Sequence, residues 1–259
     1  MDLNFLSRGR PKILYVEHST MNQPLQLNDY PKVMSAHQTL QALCTGEYRG
    51  LARYGDGDFA VMRGQRDRYQ KWDPALAWRL AQSLGAPAPG VLNAIIPPPG
   101  QGELANQRWH CYYEANAGVV GLLPDRVYGN AAITRIDSNR QLHTEEYWLE
   151  ISKLWADKDV TLVRGTDRSL TPQMLLDSPG SPESVTDIIG PGQNAWDKYG
   201  ELEAKALASK NEVILLCIGL VTRPLIHSLV LGGHKAYDLG HLGVWFKDGK
   251  PKPWEDCRP

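Results

Sequence analysis

The sequence predicts an α/β fold with a sheet that is at least partly parallel, on three observations. Val213-Ile214-Leu215-Leu216-Cys217-Ile218 is an unbroken apolar run, the pattern of a strand covered on both faces. It leads through Gly219 into a helix with Pro224 in its first turn and Gly232-Gly233 at its end, then into a second short strand over 235–239. Strand, helix, strand is a βαβ unit, whose two strands run parallel. Upstream, helical and strand-like segments already alternate.

Taken in order, the first forty or so residues follow no regular pattern. They are read as an N-terminal extension, 1–46, packing on a domain of 47–259. Within the extension, Val33, Ala36, Leu40 and Leu43 fall on one helical face, which predicts a helix over 33–43. The stretch 50–54 is strand-like. Pro97-Pro98-Pro99-Gly100-Gln101-Gly102 and Ser178-Pro179-Gly180-Ser181-Pro182 are breaks. Thr144 is placed to cap a helix carrying Tyr147, Trp148, Ile151, Leu154 and Trp155, ended by Asp157-Lys158-Asp159, and 160–163 is a short buried strand. Asn194 is placed to cap a helix carrying Ala195, Trp196, Tyr199, Leu202 and Ala206.

Composition bounds the partners. With 28 Lys plus Arg against 29 Asp plus Glu, the 259 residues carry a formal charge of −1, which argues against a nucleic-acid partner. No apolar run approaches the roughly 20 residues that span a bilayer. Residues 1–6 lack the apolar centre of a secretory signal. Cys44, Cys111, Cys217 and Cys257 show no CxxC spacing, so reduced thiols and a cytoplasmic location are expected.

Residues 53–59, Arg53-Tyr54-Gly55-Asp56-Gly57-Asp58-Phe59, carry the chemistry. Two aspartates two positions apart in a glycine-flanked loop can present carboxylates to a hard divalent cation, and Gly55 and Gly57 let the backbone approach a ligand. An ordinary tight turn explains the same residues. The loop follows a strand, as do Gly219 and the segment Asp238-Leu239-Gly240-His241, so all three are expected at strand ends where α/β sheets bind ligands. There is no phosphate-binding GxxxxGK[ST], no GxSxG and no HExxH. Gly190-Pro191-Gly192 lacks a third glycine and shows no strand signal before it. Trp72 and Trp109 are candidates for stacking on a sugar, whereas Trp196 reads as core.

The ordered set RYGDGD, YGNAAITR, a Trp-containing helix, DVTLVRGTDR, IIGPGQNAW and EVILLCIGLVTRPLIHSLVLGGHKAYDLGHLG resembles the bacterial GT-D-type glycosyltransferases, which carry the domain of unknown function 1792. The resemblance covers roughly residues 47 to 245. It implies a Rossmann-like domain, its mostly parallel sheet flanked by helices. It also implies a nucleoside-diphosphate sugar donor, UDP-sugar foremost, a glycan or glycoprotein acceptor, and Mn²⁺ or Mg²⁺. The family's acidic loop falls on Asp56 and Asp58 as metal and catalytic residues, and its terminal histidine on His241 as a further metal or diphosphate contact. Asn194, Arg53 and Arg135 match nucleotide-sugar contacts, with Gly55, Gly57 and Gly219 at the same cleft. Glu114 and Asp137 lie near matched segments and are candidates for a base.

Three departures bear on donor, acceptor and activity. Asp58 replaces a glutamate, Arg164 replaces a glutamate, and Leu242-Gly243-Val244-Trp245 lacks the acid that follows the histidine in the family. A diphosphate hydrolase and a non-catalytic nucleotide or sugar binder are therefore the alternative functions. The sequence is also compatible with a homo-oligomer.

Overall fold

Seven strands, all hydrogen-bonded in parallel, form one sheet among the described residues of this computed structural model, which are 30–98, 123–135, 144–166, 170–240 and 242–243. In chain order the elements are α1 (Ala36–Cys44), β1 (Gly50–Tyr54), α2 (Asp56–Met62), α3 (Pro74–Gly85), β2 (Val91–Ile95) and β3 (Gly129–Asn130). Then come α4 (Glu145–Ser152), β4 (Asp159–Arg164), α5 (Pro172–Leu176), β5 (Ser184–Ile189), α6 (Tyr199–Leu207), β6 (Val213–Cys217), α7 (Thr222–Leu231) and β7 (Lys235–Asp238).

The sheet order β3-β2-β1-β7-β6-β4-β5 positions the site. From β1 the chain builds outward through β2 to β3. It then crosses to β4 and the far edge at β5, and returns inward through β6 and β7 until β7 pairs with β1. Strand order therefore reverses between β1 and β7, the kind of switch point at which open α/β sheets hold ligands.

Alternation along each strand sorts the core into two layers. Leu51, Leu92, Leu162, Leu215 and Tyr237 face Leu40 and Leu43 of α1 and Trp148 and Ile151 of α4. Ala52, Tyr54, Ile95, Val163, Ile214 and Leu216 face Phe59 of α2, Leu80 of α3, Leu202 of α6 and Leu225 and Leu229 of α7. Because helices cover both faces, β1, β2 and β6 are buried along their whole length, as the unbroken apolar run of β6 requires.

Local signals set several boundaries. Ser35 and Gln38 form a reciprocal capping box, so α1 starts at Ala36 rather than at Val33, which instead bridges Tyr128. Thr144 caps α4 as the sequence predicts, its Oγ1 accepting the Tyr147 N–H at 3.1 Å. That helix stops at Ser152, earlier than the spacing suggests. Trp155 then packs through the following turns, with its ring edge-on to Trp148. Gly190 does follow a strand, contrary to the sequence reading. β5 is an edge strand with a mostly exposed, mixed pattern, and it lacks the apolar run that marks a central strand. Asn93 sits within β2 because its amide donates to the Ser83 and Leu84 carbonyls at the end of α3. Those contacts satisfy orphan carbonyls of the helix from the neighbouring strand.

His227, on the buried face of α7, accepts the Ala88 N–H at 3.1 Å through Nδ1. Burial pushes its pKa down to about 4. The unfolded chain takes up this proton near pH 6.5 and the native chain only near 4, so stability is lost as pH falls through that window. His227→Asn keeps an acceptor without the titration. Urea unfolding between pH 7 and pH 4 is expected to show wild type losing about 3 kcal/mol more than the variant. Parallel pH profiles would remove this role from His227.

Candidate functional site

Four charged side chains of alternating sign meet where β1, β7 and β6 end. Arg53, on β1, donates from Nη2 to Asp238 Oδ1 of β7 at 3.0 Å. Asp238 Oδ2 lies 3.7 Å from Nη1 of Arg223, the second residue of α7. Arg223 Nη2 donates to Asp58 Oδ2 in α2 at 2.8 Å. The topology brings these residues together across 165 and 185 positions of sequence.

Asp58 is held from two sides. Its Oδ2 also accepts the Gly55 N–H at 2.9 Å, while Oδ1 is buried with no hydrogen-bond partner. Asp238 Oδ2 is likewise buried without a hydrogen-bond partner. Burial pushes the Asp58 carboxyl up to about 6, against the pull of Arg223 and the Gly55 N–H. Burial acts to lower the Arg223 pKa, but the charges of Asp58 and Asp238 outweigh it and the net shift is upward. Arg223 is therefore a permanent cation, and it faces the Asp58 carboxyl directly.

The acidic stretch is not a loop, which corrects the sequence reading. Gly55 is the residue before α2, and Asp56 and Asp58 lie in that helix's first turn. Helical spacing separates them: Asp58 turns inward to Arg223, while Asp56 is exposed, its Oδ1 accepting the Gly57 N–H at 3.0 Å. The two carboxylates do not converge on one point in this arrangement. Among the described residues, no group of three His, Cys, Asp or Glu is placed to hold a metal.

Arg53 lies in the interior. Its Nη1 donates to the Ala131 carbonyl at 3.0 Å and also to Thr134 Oγ1, in the turn after β3. Gly240 covers its other end. A Cβ there would collide with Arg53 Nη2, and the backbone has φ +51°, a left-handed conformation that glycine adopts without penalty. Arg135 follows the same turn, half-buried, its N–H bonded to the Ala132 carbonyl at 2.7 Å. Gly219, at φ +74°, turns the chain after β6, and its carbonyl accepts from Arg223 Nη1 at 2.8 Å.

Asn194 acts differently from the predicted helix cap. It precedes a 3₁₀ turn, Ala195–Lys198, in a left-handed conformation, and its side chain makes no capping bond. Its N–H instead donates to the Tyr69 carbonyl and its Oδ1 accepts the Lys71 N–H, both at 2.8 Å. Gln70, buried, accepts the Trp196 N–H through Oε1. These bonds fasten the segment after α2 beside the acidic turn, where Asp67 fills the space that a side chain at Gly57 would need.

Arg164, at the end of β4, makes a two-pronged contact with Asp187 of β5, its Nη2 2.9 Å from Oδ2. Trp72 is exposed and Trp196 half-buried. His241, Glu114, Asp137 and Trp109 lie outside the described residues. A cavity of about 410 Å³ lies elsewhere, between α1 and the approach to β3, and none of the four clustered charges lines it. Sequence reasoning passed over Arg223. Its one local signal is its place just past the Gly219 turn of the predicted βαβ unit, facing the ligand edge of the sheet.

Residues 51–252 match the model of the glycosyltransferase GT-D fold, and the protein belongs to that family. It is 28% identical over 230 residues to a probable glycosyl transferase, Gly, of Streptococcus gordonii, covering 84% of this chain and 33% of the relative. It is 23% identical over 218 residues to the glycosyltransferase GlyD of Streptococcus pneumoniae, covering 77% of this chain and 26% of the relative. The chain thus spans a third or less of the length of the curated relatives it matches. Among solved structures it is similar to a domain of unknown function 1792 described as having a distinct glycosyltransferase fold. That match has a TM-score of 0.71 and 23% identity, over 86% of this chain and 83% of the other. A glycosyltransferase of the same domain from Streptococcus sanguinis matches with a TM-score of 0.71 and 24% identity, over 85% and 86% of the two chains.

Gly240→Ala would force Arg53 out of its bonds and strain the backbone at once. A loss of roughly 3 kcal/mol or more is expected, since breaking a buried ion pair alone costs about that much. Urea denaturation measures it, and a loss under about 1 kcal/mol, the size of an ordinary surface change, would show that the Arg53 contacts are dispensable.

Proposed function

We propose that the protein is a metal-dependent glycosyltransferase that takes its sugar from a nucleoside diphosphate, with UDP-sugars as the leading donor class. The supporting observation is Asp58. Its carboxylate is buried at the switch point of a GT-D family sheet, and one oxygen lacks any partner. A buried acceptor left unpaired costs about 1–3 kcal/mol, a cost that a ligand can remove.

The donor set suits a hard cation such as Mn²⁺ or Mg²⁺, which take carboxylate oxygens. Asp58 offers Oδ1, and Asp56, exposed in the same turn and now bonded to the Gly57 N–H, would have to swing toward it to share one ion. These two residues would hold the ion, with His241 as a further contact. When bound, the cation supplies Lewis-acid stabilisation of the departing diphosphate. The remaining roles fall to the chain itself. Arg135, after the turn that follows β3, contributes positive charge toward the phosphates. Arg53 acts through Asp238 as support. Asn194 fixes the segment that rims the acidic turn, and Gly55 and Gly219 leave the backbone open at two strand ends. A glycan or glycoprotein is the acceptor. Among the described residues no helix is long and apolar enough to cross a membrane, which fits the proposed cytoplasmic location.

Incubation with Mn²⁺ and a panel of nucleotide sugars, with and without glycan acceptors, tests this reading. Acceptor-dependent release of nucleoside diphosphate is expected. Release that ignores the acceptor would make the protein a hydrolase, and binding without turnover would make it a non-catalytic binder. Calorimetry of UDP in the presence of Mn²⁺ should show Asp56→Asn and Asp58→Asn each losing about 100-fold in affinity, close to 3 kcal/mol. Wild-type affinity in both variants would remove the acidic pair from the site.

A further inference from the structure

We propose that Arg223 is the positioning residue of this site. It holds Asp58 so that a single oxygen, Oδ1, faces the ligand, and it locks the Gly219 turn to the acidic turn. The inference rests on the proposed function, on its metal site for the Mn²⁺ arm and on its transfer activity for the kinetic arm.

Asp58 has two oxygens and three claims on them. Oδ2 is taken twice, by the Gly55 N–H at 2.9 Å and by Arg223 Nη2 at 2.8 Å. Only Oδ1 remains, buried and unpaired. A carboxylate fixed this way is a one-oxygen ligand. Released from Arg223, it could rotate and offer both oxygens or turn away.

The same guanidinium reaches two further elements. Nη1 donates to the Gly219 carbonyl at 2.8 Å and stands 3.7 Å from Asp238 Oδ2. One side chain therefore ties the end of β6, the end of β7 and the first turn of α2 together. It is itself mostly buried, with 14% of its side chain exposed, so its charge is little screened by water. A lysine at this position retains the charge but loses the planar fork that serves the Gly219 carbonyl and Asp58 together.

The test compares wild type with Arg223→Met and Arg223→Lys. Mn²⁺ binding to the protein alone is read first, by electron paramagnetic resonance of the free ion. Arg223→Met is expected to weaken it about 10-fold or more, the size typical of losing the residue that orients a metal ligand. In the transfer assay kcat should fall about 100-fold with donor KM changed far less, as expected when a reacting group is misplaced while the donor still binds. Arg223→Lys should recover part of both losses.

A merely structural role predicts a lower melting temperature with wild-type Mn²⁺ affinity and kcat below that temperature, and this result would overturn the inference. Should Arg223→Met fail to fold, Arg223→Lys decides, because it keeps the buried charge and loses only the planar fork. Wild-type Mn²⁺ affinity and kcat in Arg223→Lys would then overturn the inference, and a partial loss of both is the expected result. Wild type that binds Mn²⁺ but transfers no sugar would sink the transferase reading, and the Mn²⁺ affinities would still decide the role of Arg223.

Discussion

The alternating chain of Arg53, Asp238, Arg223 and Asp58 is the constraint around which the ligand edge of this sheet is built. Four charges this deeply placed are tolerated because each faces the opposite sign and each is also hydrogen-bonded. Removing one leaves another exposed to a low-dielectric interior, at a cost of about 3–5 kcal/mol. The chain also joins elements distant in sequence. The turn after β3 is held by Arg53, β7 by Asp238, the β6 turn by Arg223 and α2 by Asp58. Geometry at the strand ends is therefore set collectively and not by any one loop.

Glycine is needed where this cluster leaves no room. Gly240 lies against the Arg53 guanidinium with positive φ, and a side chain at Gly57 would meet Asp67. Neither requirement is visible in a glycine taken alone. Each follows from a side chain brought in by another part of the fold. The Asn194 contacts are of the same kind, since an asparagine that looks like a helix cap spends its side chain on the Lys71 N–H.

Much of the fold was legible. The β6, α7 and β7 unit, the strand at β4, the strand before the acidic turn and the Thr144 cap all follow from apolar periodicity and capping chemistry, which act over a few residues. The edge strands β3 and β5 were not legible. Two residues carry no period, and an edge strand has no continuous apolar signal to show. For the site, the acidic pair could be located from its sequence but not its conformation. Whether Asp-Gly-Asp turns as a loop or opens a helix depends on what receives Asp58, and that is an arginine 165 positions away.

By itself the sequence determined the α/β class, the parallel βαβ unit and the position of the acidic turn at a strand end. Those properties arise from local pattern: which residues repeat every two or every 3.6 positions, and where glycine and proline interrupt them. Only the tertiary structure decided that Asp56 and Asp58 part company. Only it decided that Arg53 turns inward and that Arg223, which no local motif marks, is the cation facing Asp58. The reason is physical. The partner of a buried charge is chosen by strand order, and the pairing of β7 with β1 and β6 is a property of the whole sheet.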